Sequence, residues 1–268
     1  MQKTSSASIL SQTKDLVYET GQLLKEKQRN LHKLNIRLKG KNDLVSEADI
    51  EAEAKLVEGL KTILPGSRFI TEEKYPEEIL NSDDPTWIID PLDGTTNFLH
   101  SYLPYAVSVG LAEKGKLTMG IIYEVERDEM FYASEAEEGA FKNGSPIEVS
   151  KNTNLQESLF ATGFPSREAE YIEPYTELMK ELMTGSHGLR RMGSAALDLA
   201  YVACGRFDGF FEYGLYPWDI AAGSFLVEKA GGKVTNFRGG NDFLFNKEIV
   251  AANKHVFNAL LERIQKHF

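Results

Sequence analysis

The chain holds a single cysteine, Cys204. A lone thiol excludes an intramolecular disulfide framework, and with it the small stapled secreted scaffolds. In its Ala/Val-rich surroundings Cys204 reads as a packed small side chain. Long apolar runs are missing too. None approaches the roughly 20 residues that cross a bilayer. The first residues (Lys3, Thr4, Ser5, Ser6) are polar and hold no apolar signal core. No membrane partner is expected, and the expected compartment is the cytoplasm. Basic charge is scarce: 30 Lys and Arg against 40 Asp and Glu leave a net charge of −10. A general nucleic-acid binder needs a basic face, so nucleic acid is an unexpected partner. Internal repeats and low-complexity stretches are absent as well, which sets aside repeat arrays and disordered linkers.

Among what is present, the segment Trp87-Ile88-Ile89-Asp90-Pro91-Leu92-Asp93-Gly94-Thr95-Thr96-Asn97-Phe98 says most. Trp87 to Ile89 reads as a buried strand, and Pro91 fixes the turn after it. Asp90 and Asp93 are then expected on a rigid turn at the strand's carboxyl end. Two close carboxylates repel unless a cation lies between them. Hard oxygen ligands at this spacing suit Mg²⁺ better than zinc. The amides of Gly94, Thr95 and Thr96 would open the next helix, a place that receives phosphate. Asp-Pro and Asp-Gly are also ordinary turn dipeptides, so a solvated turn competes with the metal reading. Two further segments add weight. Phe69-Ile70-Thr71-Glu72-Glu73 is an apolar run ending in two carboxylates. Pro217-Trp218-Asp219-Ile220-Ala221-Ala222-Gly223 puts Asp219 at the start of an apolar helix, as an N-cap or facing a cation.

Together these segments resemble the inositol monophosphatase family of Mg²⁺-dependent phosphatases. Two more pieces match: Asp43-Leu44-Val45-Ser46-Glu47-Ala48-Asp49, and the run from Arg191-Met192-Gly193-Ser194 through Ala195, Ala196, Leu197 and Asp198 to Leu199-Ala200. The similarity spans roughly residues 10 to 260, and its form is closest to the bacterial inositol-1-monophosphatase branch. The resemblance implies an α/β fold, the layered α-β-α-β-α sandwich of the inositol monophosphatase and fructose bisphosphatase type. It implies two or three Mg²⁺ ions. The first would be held by Glu72, Asp90 and the carbonyl of Leu92, the second by Asp90, Asp93 and Asp219, with a third, weaker ion near Glu72. Thr95 would orient the attacking water with Asp49 behind it. The backbone at Gly94 and Thr95 would hold the phosphate. Glu212, seven residues before Asp219, matches the ligand for inositol hydroxyls, and Gly193, Ser194 and Ala195 match the segment that approaches the ring. Catalytic roles thus fall to Glu72, Thr95 and Asp49. Asp93 and Asp219 also belong to the substrate-binding set. Inhibition by Li⁺ and a homodimer are implied as well.

The expected substrate is a small phosphorylated polyol, inositol 1-phosphate first. Fructose 1,6-bisphosphate, 3′-phosphoadenosine 5′-phosphate and NADP are the alternatives within the same chemistry. An RNA- or transcription-associated role, hinted at only by Arg190-Arg191, is the alternative outside it. Lys39, Lys41 and this arginine pair are basic exceptions that can either attract an anion or simply be solvated.

Apolar periodicity places helices at 5–31, 50–63, 172–183, 195–203, 220–230 and 256–264. Strands are expected at 106–112, 117–123, 130–133, 140–142, 160–162, 209–213, 233–236 and 248–252, with a turn at Asn143-Gly144. The α+β half, residues 1–150, is expected to carry most metal ligands. The α/β half, 151–268, would complete the site within one compact unit.

Overall fold

The computed structural model describes residues 5–33, 36–40, 43–73, 83–165 and 169–268, with backbone alone at 33, 36–40 and 43–45. Lys41 therefore lies outside the described residues, as does the Lys39 side chain. Helix α1 (Ser6–Arg29) begins at Ser5, whose hydroxyl accepts the Ser8 amide. A short antiparallel pair, β1 (Ile36–Gly40) and β2 (Asp43–Ser46), leads into α2 (Glu47–Ile63). That helix starts three residues earlier than periodicity alone indicates. Ser46 caps it, and Asp49 Oδ2 accepts the Ser46 amide at 2.9 Å in a reciprocal capping box.

Next come β3 (Arg68–Thr71), β4 (Thr86–Asp93), the five-residue helix α3 (Thr95–Leu99), then β5 (Ala106–Glu113), β6 (Lys116–Glu124), β7 (Glu129–Ser134), β8 (Ala140–Lys142) and β9 (Ser145–Ile147). β3 to β9 form one sheet in sequential order, antiparallel apart from the β3–β4 pair. Period-two alternation sorts its two faces. Val107, Val109, Leu111, Met119, Ile121 and Tyr123 pack with the apolar stripes of α1 and α2. The opposite face is built small where a helix must come close.

The second sheet takes β10 (Leu159–Thr162), β11 (Gly188–Arg190), β12 (Gly209–Tyr213), β13 (Lys233–Thr235) and β14 (Glu248–Ala252) in the order β11-β10-β12-β14-β13. Its helices are α4 (Ile172–Gly185), α5 (Ala195–Ala203), α6 (Pro217–Lys229) and α7 (Phe257–His267). Phe210, Ile249 and Ala251 point into a core with α5 and α6, while Phe211, Val250 and Ala252 face α4 and α7. The layers are therefore α1/α2, seven strands, α5/α6, five strands, α4/α7: the expected α-β-α-β-α sandwich.

The middle layer is the part that positions chemistry. A Cβ on Gly120 would lie 2.5 Å from the Ala222 carbonyl, and one on Gly223 would lie 2.5 Å from Leu199 Cβ. Glycine at both places lets α6 press onto the first sheet and onto α5. The start of α6 is thereby carried to the end of β4.

Candidate active site

Asp90 and Asp93 lie within β4, not on a turn beyond it. The strand runs on through Pro91 to Asp93, and its pairing with β5 slips between Asp90 and Asp93. Pro91 cannot donate to the ladder, so the irregularity falls where the missing N–H would sit. The slip lets both carboxylates serve one space, although two residues separate them. Asp219 is the third helical residue of α6, not its N-cap. Its Oδ2 reaches back to accept the Tyr216 amide at 2.7 Å. One carboxylate oxygen from each of Asp90, Asp93 and Asp219 falls within 4.8 Å of the others. No segment of sequence holds all three; the α6 packing brings Asp219 to the other two.

Each member of the trio is anchored by one oxygen. Asp90 Oδ1 accepts the Leu92 amide at 2.9 Å. Asp93 Oδ2 accepts the Ser194 hydroxyl at 2.6 Å and the Ala196 amide at 2.7 Å. Burial pushes all three acids up. Asp93 rises to about 6, with its two α5 partners opposing the shift. Asp90 goes well above the usual carboxylate range by burial and by the charges of Glu72, Asp93 and Asp219. Asp219 rises by burial and by Asp93 and Glu72. Charges so crowded favour a proton or a cation in the gap. An all-oxygen donor set fits a hard divalent ion. Glu72 lines the same cavity and acts electrostatically on the trio.

Gly94 opens α3 with φ 94°, a left-handed conformation natural to glycine. Thr95 Oγ1 lies 3.0 Å from Asp49 Oδ1 and 3.0 Å from the Leu92 carbonyl. It has a single proton to share between them. Asp49 thus joins three elements, since its other oxygen caps α2.

A cavity of about 410 Å³ opens beside the acids. Glu212, from β12, looks into it, and burial pushes its carboxyl up to about 8 against the pull of Arg191. Gly193, Ser194 and Ala195 line the wall. Gly193 is left-handed at φ 87°, and a Cβ there would crowd Arg191 and Asn97. The Ser194 hydroxyl is donated to Asp93. Of the residues singled out from the sequence, Glu72, Asp93, Gly193, Ser194, Ala195, Glu212 and Asp219 line this cavity, while Asp49, Asp90, Leu92, Gly94 and Thr95 are not part of its lining.

Three contributors went unread. Asn97 ties the α3 turn to the α5 approach by donating to the Pro104 and Met192 carbonyls at 2.7 and 2.8 Å. Gly163 leaves the room that the Glu212 carboxylate fills, since a Cβ there would overlap it. Asp198 lines the cavity on α5. An aspartate inside the apolar run Ala195–Ala203 was the available signal, because a polar group at a core position calls for a reason.

A family model described as "Inositol monophosphatase family" matches residues 6–267. The Escherichia coli protein named "Nus factor SuhB" is 42% identical over 228 residues, 85% of this chain and 84% of the relative. The extragenic suppressor protein suhB from Bartonella henselae superposes with a TM-score of 0.90 at 38% identity, covering 99% of this chain and 100% of that one. The inositol monophosphatase from Anabaena superposes with a TM-score of 0.86 at 34% identity, covering 98% and 97%. No helix among the described residues is long and apolar enough to cross a membrane.

Proposed function

The chain belongs to the inositol monophosphatase family, and on that premise we propose that it is a Mg²⁺-dependent phosphomonoesterase cleaving inositol 1-phosphate to inositol and phosphate. The observation that carries this reading is the convergence of Asp90, Asp93 and Asp219 within 4.8 Å beside a cavity that also presents Glu212. Glu72, Asp90 and the Leu92 carbonyl would hold one ion, and Asp90, Asp93 and Asp219 a second; a third would sit toward Glu72. Ions bound there supply Lewis acidity, making an attacking water more acidic and offsetting charge on the phosphate and leaving oxygens.

The chain's own groups do the rest. When Thr95 gives its proton to Asp49, its lone pairs are free to accept from the attacking water and orient it. Asp49 keeps that arrangement rigid, because its second oxygen is fixed by the α2 cap. The Gly94 and Thr95 backbone amides would hold phosphate oxygens individually, since a five-residue helix has a small dipole. Glu212 would accept hydrogen bonds from hydroxyls of the leaving alcohol, and the Gly193–Ala195 wall would lie against its ring.

The test is phosphate release from inositol 1-phosphate, fructose 1,6-bisphosphate, 3′-phosphoadenosine 5′-phosphate and NADP, with Mg²⁺ and with EDTA. Mg²⁺-dependent preference for inositol 1-phosphate is expected. Preference for another ester would leave the metal site standing and overturn the specificity.

A second reading is favoured by the printed name of the Escherichia coli relative, a Nus factor. Under it the chain also binds the transcription machinery. A net charge of −10 points to a protein contact rather than to RNA itself. Failure to retain RNA polymerase components in a pulldown with the intact chain would remove this reading.

A further inference from the structure

Asp198 is a carboxyl that neither the fold nor the reading above employs. It sits on the first turn of α5, is 1% exposed, and lines the cavity. Its Oδ1 is buried with no hydrogen-bond partner. Other buried acids are hydrogen-bonded: Asp49 by Ser46, Asp93 by Ser194, Asp208 by the Leu159 amide, Glu124 by the Tyr201 hydroxyl. Glu53 has one oxygen bonded by the Glu73 amide and one unpartnered, but it does not line the cavity. A buried carboxyl without a partner costs stability and would be replaced by leucine at little loss if packing were its only task. Its charged neighbours are Glu212, Asp93 and Arg191. All three line the same cavity as the groups assigned to the leaving alcohol.

We propose that Asp198 is a second hydroxyl-binding group of the leaving-alcohol pocket, paired with Glu212, and that the pair selects phosphorylated polyols carrying several free hydroxyls over esters carrying none. The proposal rests on the phosphatase reading and deepens it. Two carboxyls from different elements, one on β12 and one on α5, accept from hydroxyls at different places on a ring. An aryl ester leaves Asp198 as unsatisfied as it is without ligand. Sites built to bond a hydroxyl reject the analogue that lacks it, because their own polar groups stay unpaired. Burial raises the carboxyl of Asp198 as it raises that of Glu212. A protonated partner in such a pair both donates and accepts, matching a hydroxyl.

The experiment compares wild type, Asp198→Asn and Asp198→Leu on inositol 1-phosphate and p-nitrophenyl phosphate at saturating Mg²⁺, with melting temperatures alongside. Both variants are expected to melt at or above the wild-type temperature, because the unpaired acid is gone. The ratio of kcat/KM for the polyol ester to that for the aryl ester falls about tenfold in Asp198→Leu, mainly through KM, the worth of one good hydrogen bond. Asp198→Asn retains part of the ratio. An unchanged ratio in Asp198→Leu overturns the proposal, and so does an equal loss on both esters. Wild type that hydrolyses neither ester overturns the phosphatase reading, and the proposal with it.

Discussion

Asp90, Asp93 and Asp219 on one side of the cavity each have an oxygen pinned by a backbone amide, at 2.9, 2.7 and 2.7 Å. Glu212 and Asp198 on the other side have no such anchor among the described residues; their positions come from packing around Gly163 and along α5. The pinned group comes from β4 and the start of α6, the unpinned pair from β12 and α5. A carboxylate that must meet a small ion at fixed distance needs one oxygen held and one free. A carboxyl that must meet a ring hydroxyl tolerates some play. The difference in anchoring therefore separates two tasks that residue identity alone does not.

The sharpest way to break this comparison is Asp93→Asn. Asparagine keeps the shape and can still accept from Ser194 and Ala196, so the fold should stand. Loss of one metal-facing charge removes several kcal/mol of transition-state stabilisation, roughly a thousandfold in kcat. Near-normal single-turnover phosphate release at saturating Mg²⁺ would take Asp93 off the metal.

Stability against pH tests the pinned group next. Asp93 is raised from 3.8 to about 6 in the folded chain, and Asp90 and Asp219 also rise. A raised acid binds its proton more tightly when folded. Its contribution is present below the unfolded value of 3.8 and is lost as pH climbs through about 6. A divalent ion takes the proton's place. The gain in melting temperature on adding Mg²⁺ to EDTA-treated protein should thus be larger at pH 7 than at pH 5. Equal gains at both values would mean that these acids are not where the ion binds.

Gly163→Ala probes the unpinned side. The new methyl group overlaps the Glu212 carboxylate and must displace it. KM for the polyol ester should rise about tenfold, the worth of one good hydrogen bond, with a smaller change in kcat. A fall in kcat with KM unchanged would place Glu212 in the chemistry rather than in alcohol binding.

Much of this site was legible because its ligands sit in short local patterns. Asp90 to Asn97 are contiguous, and Asp219 opens an apolar helix whose periodicity is plain. Two details were not readable from local pattern. The strand's passage through Pro91 depends on a register slip against β5, a tertiary event. The role of Ser46 as the α2 cap is set by the Asp49 side chain turning back to it, which moves the helix start ahead of its apolar periodicity. Short strands such as β9 and β11 carry only three residues each, too few to show alternation. The helix Ala195–Ala203 was readable to the residue, yet the place of its Asp198 depends on which sheet the helix faces.

A third kind of carboxylate sharpens the contrast from outside the cavity. Glu129 receives Arg206 through two bonds of 2.6 Å and Lys142 at 3.2 Å. The guanidinium holds its carboxyl below the usual 4.5. Here the matching cation is part of the chain, and the sign of the pH dependence reverses. The pair's contribution is present above the unfolded value and is lost as pH falls through the lower folded one. Arg206→Ala should cost about 1 kcal/mol at neutral pH, the scale of a partly exposed bidentate pair. The deficit should shrink below about pH 4.5, the ordinary value of this carboxyl. A residue of it should persist, since Arg206 also lies 4.6 Å over the Tyr201 ring. Catalytic constants should not move. If the deficit instead grows toward acid, the bidentate pair is not its source. The chain supplies a cation of its own to Glu129, while the trio's crowded charge is left for an ion to meet.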